Sequence, residues 1–446
     1  MQASHRKLAV PVLGPCTHRS PLALSTERGG VRGAFVPEDS WVRWEIEVEG
    51  DRPAEGGQLF EKAGPRQNIF FDPARTRAAI VTCGGLCPGL NNVIQSAFFE
   101  LHYQYKVREV LGLRYGYRGL NPAHGYEPLL LTPDSVRRIN DFGGTVLGTS
   151  RGSEDPQVMV DFLQSREIDL LLCVGGDGTM RGAHAIHEEA VRRGAPIAVV
   201  GIPKTIDNDI KFCFRTFGFS TALERARDAL ECAHNEATSA QNGIGLVKVM
   251  GRDSGFIAIG ATLSSHDVNF TLIPEVPFEL DGPHGFLAAL EKRLRKSGHA
   301  VIVVAEGAGQ DLFESSDRQR DASGNVLHRD IGLLLKERIA QYLKERGVTF
   351  DLKYIDPSYM IRSVAANSDD SILCDQFARR AVHAAMTGRS DMLVGFYHGT
   401  LMHVPIPIAT TGRQKVDPSG QGWMSVLSVT GQPASFTAPG GNQRPA

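Results

Sequence analysis

The feature that most constrains this chain is a strand, a glycine-rich turn and a helix in immediate succession, which occurs twice. Residues 78–83, 84–89 and 90–101 form the first set, and residues 168–174, 175–179 and 180–193 form the second. Glycines let backbone N–H groups approach an anion, and the start of a helix adds a favourable dipole. The pattern predicts a parallel sheet with phosphate-binding turns. Taken alone, each turn could also be a simple connection.

A third apolar run, residues 197–202, leads into the string PKTIDND at 203–209. Polar residues at the carboxyl end of a buried parallel strand lie where open α/β sheets place their chemistry. Asp207 can take a proton or hold a metal, Lys204 can neutralise phosphate and Thr205 can bind a substrate oxygen. The alternative is a turn in which Asp and Asn cap the next helix.

Charged side chains recur at other predicted strand ends. Asp177, inside the second glycine turn, would repel a phosphate unless it holds a Mg²⁺ ion that bridges to it. Arg252 follows the strand at 244–249 and suits a phosphoryl group. Glu306 follows the strand at 301–305 and can accept a hydrogen bond from a sugar hydroxyl. Each could singly be an ion pair or a cap, but their repeated placement favours a site.

The composition excludes several classes of protein. The chain has 446 residues, 42% of them hydrophobic, and a formal net charge of −2. It therefore lacks the basic field that favours nucleic acid or an acidic membrane surface. Its seven cysteines have no framework spacing, which indicates a reducing cytoplasm. We expect no nucleic-acid partner and no membrane partner.

The order of predicted elements indicates an α/β fold. Strands are predicted near 78–83, 108–113, 168–174, 195–202, 244–250, 269–273, 300–305 and 391–397. Helices are predicted near 90–101, 180–193, 220–237, 283–296, 330–346 and 368–387. We predict two Rossmann-like three-layer α/β/α units with an N-terminal extension. The expected divisions are an extension at 1–70, a first α/β domain at 71–265, a second at 266–410 and a flexible C-terminal tail at 411–446.

Taken together, these strings resemble the ATP-dependent 6-phosphofructokinases, in their plant and trypanosomatid-like branch. The resemblance rests on GGLCPGLN at 84–91, GGDGT at 175–179, PKTIDND at 203–209, MGR at 250–252 and YIDPSYMIR at 354–362. It covers about residues 60–405. It implies transfer of the γ-phosphoryl group of ATP to the 1-hydroxyl of fructose 6-phosphate, the committed step of glycolysis. It further implies an allosteric, Mg²⁺-dependent cytoplasmic enzyme that is a homotetramer or a homodimer.

The resemblance also implies the site residues. Asp207 would be the general base, and the other catalytic residues would be Lys204, Thr205, Asp209 and Arg252. The sugar phosphate would bind in the second domain and contact Thr205, Ile206, Asp207, Met250, Gly251, Arg252, Glu306, Tyr359, Met360, Ile361 and Arg362. ATP would bind in the first domain, with Asp177 on Mg²⁺, and contact Gly85, Tyr117, Arg151, Gly152, Gly176, Asp177, Gly178 and Thr179.

Two positions bear on the phosphoryl donor. At the second turn, the pattern of pyrophosphate-dependent members resembles GGDD instead of GGDG. The extra carboxylate would obstruct the α-phosphate of ATP. Gly178 leaves that space open and favours ATP. Lys204 favours the alternative, since pyrophosphate users carry a lysine there, but the plant-like ATP branch combines both features. We expect ATP, with a pyrophosphate-dependent enzyme as the alternative.

Two further functions are considered. An NAD kinase would carry GGDGT but gives no reason for PKTIDND or MGR. A non-catalytic, sugar-phosphate-binding regulatory subunit would have lost Asp207 or the glycine turn, and both are intact. The chain also departs from the short bacterial enzymes: Gly243 replaces their cross-subunit arginine, and residues 367–371 lack a basic group that follows the position of Arg362. We expect its grip on the sugar 6-phosphate to differ from theirs.

Overall fold

The computed structural model describes residues 6–25, 33–46, 57–313 and 327–437. Its strands are β1 (Arg6–Leu8), β2 (His18–Arg19), β3 (Trp41–Arg43), β4 (Gln58–Lys62), β5 (Asn68–Ile69), β6 (Arg77–Thr82), β7 (Glu109–Leu113), β8 (Leu129–Leu130), β9 (Leu170–Gly175), β10 (Ala198–Pro203), β11 (Gly243–Val249), β12 (Phe270–Leu272), β13 (His299–Ala305), β14 (Asp351–Ile355), β15 (Met392–Tyr397) and β16 (Thr400–Pro405). Its α-helices are α1 (Leu90–Phe99), α2 (Pro156–Ser165), α3 (Asp177–Arg192), α4 (Phe219–Ser239), α5 (Phe256–Ser265), α6 (Phe286–Ser297), α7 (Ile331–Glu345), α8 (Ser358–Arg362), α9 (Ser368–Met386), α10 (Ile406–Ala409) and α11 (Gln421–Thr430). Within these ranges no helix is long and apolar enough to cross a membrane.

The first of two units is formed within Met1–Thr205, Ile210–Gly218 and Ser363–Gly412. Among its described residues, ten strands form one sheet in the order β1-β4-β16-β15-β10-β9-β6-β7-β8, with β3 paired to β4. The central strands β15, β10, β9, β6 and β7 are parallel. Every residue of β9 and β10 is buried, and helices α3 and α9 both pack against these two strands. Strands buried in this way are typical of a parallel sheet covered by helices.

The register of the central strands brings their carboxyl ends level. Val174 at the end of β9 lies opposite Thr82 of β6 on one side and Ile202 of β10 on the other. Because the three strands are parallel, the segments that follow them leave the sheet at the same edge. Those segments are the two glycine turns and the start of PKTIDND.

The second unit is formed within Ile206–Asp209, Phe219–Arg362 and Arg413–Ala446. Its sheet has the order β12-β13-β11-β14, and all neighbouring strands are parallel. Helices α4, α5, α6 and α7 pack against it. An apolar core that includes Phe270, Phe286 and Leu335 fills the unit. A helical layer on a parallel sheet is thus repeated in the second unit, as the α/β prediction requires.

The predicted helices and strands are confirmed, with ends within three residues of those expected. Their distribution between units differs from the predicted boundaries. Strand β15, expected in the second domain, pairs with β10 in the first unit, and β11, expected in the first domain, is central in the second unit. Sheet membership is set by long-range pairing, which a local pattern of apolar residues does not encode.

The two ends of the chain also differ from expectation. The N-terminal extension is not a separate region, because β1, β3 and β4 continue the sheet of the first unit. The tail expected to be flexible contains α11, which packs on α5, and Phe436, which is buried in the core of the second unit. Its low hydrophobicity reflects Gly, Ser and Gln around a few well-buried apolar side chains. Residues 438–446 of the predicted tail lie outside the described residues.

Candidate active site

The turn after β6 is held in place by hydrogen bonds to residues 149 and 150. Gly84 has φ of +86°, a conformation that favours glycine. Its N–H donates to the carbonyl of Ser150 (2.9 Å), and Thr149 Oγ1 donates to its carbonyl (2.7 Å). These bonds bring the turn after β6 close to the loop that carries Arg151. A Cβ built on Gly85 would lie 3.6 Å from a guanidinium nitrogen of Arg151, so the two predicted nucleotide-binding residues are neighbours. Arg151 and Gly152 are exposed at this edge.

Lys204 connects the turns that follow three adjacent strands. Its side chain is only 7% exposed. Its Nζ donates to the carbonyl of Gly85 (2.8 Å), and its backbone N–H donates to the carbonyl of Gly175 (2.9 Å). The ammonium therefore fixes the first turn, in addition to supplying positive charge at this edge of the sheet.

The second glycine turn is the start of α3. Gly176 precedes the helix, Asp177 is its first residue and the Met180 N–H donates to the Gly176 carbonyl (3.0 Å). The Asp177 carboxylate is mostly covered and lies 3.9 Å from Arg181. Gly178 is exposed, and a Cβ built on it would meet nothing within 4 Å. This helix start has the free space and N–H groups that an anion site needs.

Tyr117 and Thr179, both predicted to hold the nucleotide, are buried at the second glycine turn. Tyr117 is 3% exposed and its hydroxyl donates to the Thr179 carbonyl (2.6 Å). Its ring packs so closely on α3 that a Cβ on Gly182 would overlap it. Burial raises the pKa of the Tyr117 phenol well above its usual value. The tyrosine supports the first turn of α3 from below.

In the second unit, Asp207 lies beside the loop that follows β11. The Arg252 N–H is 3.5 Å from Asp207 Oδ2, and the hydroxyl of the buried Ser254 donates to the Asp207 carbonyl (3.3 Å). The Oδ1 atom of Asp207 has no contact with solvent. Ile206 is buried next to it. The predicted base and the predicted phosphoryl-binding residue are therefore brought together.

The environment of Asp207 favours its protonated form. Burial, with added repulsion from Asp209 and Glu306, raises its pKa to about 8, while the Arg252 N–H and the charge of Arg413 act in the opposite direction. Burial also raises the pKa of Glu306, and Arg252 is the main group that opposes that rise. A carboxyl with its pKa near neutrality can accept a proton and release it again, as a general base must.

The loops after β11 and β13 form one backbone arrangement. The Glu306 N–H donates to the Val249 carbonyl (2.9 Å), and the Gly307 N–H donates to the Gly251 carbonyl (3.0 Å). A Cβ on Gly307 would overlap the Arg252 carbonyl, so only glycine permits this approach. Met250, Gly251, Arg252 and Glu306 are thereby held at one end of the sheet.

The segment that ends in α8 is fixed to β11 by a buried lysine. Lys248 lies 2.7 Å from Asp330 and 2.9 Å from Asp356, which precedes α8. In α8 itself, Tyr359 and Met360 are 72% and 73% exposed, and the Arg362 guanidinium stacks on the Tyr359 ring at 4.6 Å. Ile361 is fully buried, so only its backbone could face a ligand.

Sequence reasoning missed three charged groups near Asp207 and the loops after β11 and β13 in the second unit. They are Lys248, Glu275 and Arg413. Arg413 contacts Asp209 (3.4 Å) and Asp253. A usable signal was present, because Arg413 follows Gly412 just as Arg252 follows Gly251. It was passed over because residues 411–446 were expected to be a flexible tail.

A metal centre made by the protein alone is absent from the described residues, in which no three His, Cys, Asp or Glu side chains are grouped to hold a metal. Cys83, directly before the first turn, and Cys87, within it, are buried and form no disulfide. A divalent ion at Asp177 would need most of its ligands from a substrate and water.

Comparison with known proteins identifies close relatives. The family model "Phosphofructokinase" matches residues 77–385. The chain is 49% identical to an ATP-dependent 6-phosphofructokinase of Borreliella burgdorferi, over 95% of this chain and 96% of that protein. It is 46% identical to ATP-dependent 6-phosphofructokinase 1 of Arabidopsis thaliana, over 94% and 88%. A solved pyrophosphate-dependent phosphofructokinase from Marinobacter aquaeolei matches with a TM-score of 0.65 at 18% identity, over 80% of this chain and 91% of that one, which establishes a shared fold.

Replacing Asp207 with Asn should stabilise the protein at alkaline pH. The pKa of Asp207 is about 8 in the folded protein, against an ordinary value of 3.8, so the folded state binds this proton more tightly. The stability it provides is complete below about pH 4 and is lost as the pH rises through about 8. We expect the Tm of Asp207→Asn minus that of wild type to grow from about pH 5 to 8 and then level off.

The measurement is a thermal-shift series with Asp417→Asn as the control. Hydrogen bonds from Ser419 lower the pKa of Asp417, so its carboxyl titrates below this range and its Tm difference should stay constant. A Tm difference for Asp207→Asn that does not change with pH would contradict the raised pKa.

Proposed function

The chain belongs to the phosphofructokinase family, and we propose that it transfers the γ-phosphoryl group of ATP to the 1-hydroxyl of fructose 6-phosphate. The products are fructose 1,6-bisphosphate and ADP. The observation that carries the proposal is the pair of Asp207 and Arg252, a carboxyl with its pKa near neutrality beside a fixed guanidinium-bearing loop. Relatives that carry the printed name ATP-dependent 6-phosphofructokinase, at 42–49% identity, support the choice of reaction.

In this reaction Asp207 accepts the proton of the 1-hydroxyl. As the hydroxyl oxygen forms a bond to the γ-phosphorus, the bond from that phosphorus to the bridging oxygen breaks to release ADP. The proton can leave late, because phosphoryl transfer passes through a loose transition state. Arg252 stabilises the negative charge on the transferring group, and Thr205 and Asp209 flank the base in the chain. Such positioning and electrostatic stabilisation account for most of the catalysis in phosphoryl transfer.

The sugar phosphate would contact the loops after β11 and β13 together with α8. Met250 and Gly251 offer backbone groups, and Glu306 can accept a hydrogen bond from a sugar hydroxyl. Tyr359, Met360 and Arg362 offer exposed side chains on α8. Lys248, through its ion pair with Asp356, supports the segment that carries them.

ATP would bind at the turns that follow β6 and β9. Gly85, Gly176 and Gly178 present backbone N–H groups, and Arg151 with Gly152 lies at the exposed edge. The open space at Gly178 supports ATP over pyrophosphate as donor. Tyr117 and Thr179 act by supporting the start of α3.

The residues fit a Mg²⁺ ion that arrives with the nucleotide. Mg²⁺ is commonly held by one or two carboxylates, phosphate oxygens and water. Asp177, at the start of α3, would be its protein ligand. When bound, the ion neutralises charge on the phosphates of the donor.

We further propose a homotetramer that works in the cytoplasm. The seven cysteines all lie in described residues and none forms a disulfide, which agrees with a reducing compartment. Light scattering after size exclusion should give the mass of about four chains at micromolar concentration. An active species with the mass of two chains would establish the alternative homodimer, and an active monomer would contradict both assemblies.

Replacing Asp207 with Ala should lower kcat by about 10²–10⁴-fold, the range for loss of a general base. The measurement is a coupled assay with fructose 6-phosphate and ATP, with the KM values followed separately and Asp417→Ala as an exposed control. A kcat within about twofold of wild type would exclude Asp207 as the base.

Turnover of wild type with pyrophosphate and none with ATP would establish the alternative donor.

Replacing Gly178 with Asp should lower kcat/KM for ATP by about 10–100-fold, because juxtaposed like charges cost several kcal/mol. The matched control is Gly178→Ala, which adds bulk without charge. Its new Cβ meets nothing within 4 Å, so both variants should fold as wild type does. Equal losses in the two variants would assign the effect to bulk, and unchanged ATP kinetics in Gly178→Asp would contradict an ATP phosphate near this position.

A further inference from the structure

Residues 413–416 of the second unit lie along the segment that carries the base. The Gln414 N–H donates to the Asp209 carbonyl (2.8 Å), and the Val416 N–H donates to Glu275 Oε1 (2.9 Å). The same Glu275 oxygen accepts the N–H of Gly255 (3.0 Å), directly before α5. Residues 413–416, called the strap below, are therefore fixed at Gln414 and Val416 by backbone donors, and the Arg413 side chain leaves the backbone directly before the first of these two points.

The Arg413 guanidinium joins two loops of the catalytic end. It lies 3.4 Å from the carboxylate of Asp209, two residues after the base, and it is paired with Asp253, directly after Arg252. Asp209 is 7% exposed, so its charge needs a partner. The Arg413 guanidinium thus joins the PKTIDND segment to the residue that follows the MGR loop, in addition to the contacts that Asp207 makes with Arg252 and Ser254.

The charges that face Asp207 come from four segments. Asp209 on its own segment and Glu306 after β13 repel its ionised form, whereas the Arg252 backbone after β11 and the Arg413 charge favour it. Asp253 is a further acid in the cluster and is engaged by Arg413. Removing the guanidinium would leave the acids with less compensation.

We propose that Arg413 is a positioning residue of the catalytic centre: it holds Asp209 and Asp253 together and supplies the positive charge that balances the carboxylates around the base. This inference rests on the proposed function, in which Asp207 accepts the proton. It assigns a catalytic purpose to the C-terminal segment, which no sequence motif of the site includes.

The first test is the pH profile of kcat/KM for Arg413→Met, Arg413→Lys and Lys415→Met. Lys415→Met removes a positive charge from an exposed position two residues further along the same strap. For Arg413→Met we expect the midpoint of the acidic limb to rise by about 0.5–1 pH unit, as for loss of a nearby opposite charge. Activity should recover as the pH approaches 9. Arg413→Lys should keep the wild-type midpoint, and Lys415→Met should not move it.

If Arg413→Met loses activity by the same factor at every pH, Arg413 has only a structural role and the proposal is overturned. An unchanged midpoint would also overturn it. If the methionine variant does not fold, Arg413→Lys still tests the proposal. Lysine keeps the positive charge but has a shorter side chain than arginine. In that case, wild-type behaviour of the lysine variant supports the charge role, and a profile unlike wild type with an intact Tm contradicts it.

The second test needs no turnover and so separates this inference from the proposed function. The Tm difference between Asp207→Asn and its parent is compared across pH in the wild-type and Arg413→Met backgrounds. We expect the pH at which this difference levels off to be higher by about 0.5–1 unit without the guanidinium. The same plateau in both backgrounds would overturn the proposal. If wild type phosphorylates no fructose 6-phosphate, the proposed function fails, and this stability measurement still decides whether Arg413 governs the charge of Asp207.

Discussion

Asp207 shares one end of the second unit with Asp209 and Glu306, and each of the two raises its pKa. Burying several carboxylates together is costly unless cations and N–H donors accompany them. The surrounding sequence reflects this constraint: Arg252, Lys248, Arg362 and Arg413 all come within electrostatic reach of the acids. Gly251 and Gly307 let the loops that carry these groups approach closely. A site for phosphorylated substrates gains from the same arrangement, because the cations can also meet phosphate.

Local structure was predictable because it depends on local signals. The glycine turns, the buried strands β9 and β10 and a helix after the second turn follow from periodicity and glycine placement, and all of them are found, although that helix begins at Asp177 and not at the predicted Met180. The division into units was not predictable in this way. The apolar run at 391–397 resembles those of the other strands, and its sequence does not indicate that β15 pairs with β10. The same limit applies to Phe436, whose burial depends on a pocket built by α6 and β12.

The site shows a similar division between residue type and residue task. Sequence patterns located Asp207, Arg252 and Glu306 at strand ends, and the structure brings them together within the second unit. They did not reveal that Tyr117 lies under α3 or that Ile361 is buried, because the resemblance transfers positions and not exposure. Arg413 was lost for a different reason. Composition alone marked its segment as mobile, although one Gly-Arg pair in that segment matched the pattern used elsewhere.

The structure also changes the weight of Lys204 in the choice of donor. By resemblance, a lysine at this position favours pyrophosphate, on the view that its ammonium meets a phosphate. Here one of its three N–H donors goes to the Gly85 carbonyl, and the side chain is buried as it crosses from β10 to the first turn. This contact fixes the first turn and does not itself distinguish one phosphoryl donor from another. Gly178 is surrounded by open space, so in the proposed ATP site it is the position at which an added carboxylate would repel a phosphate.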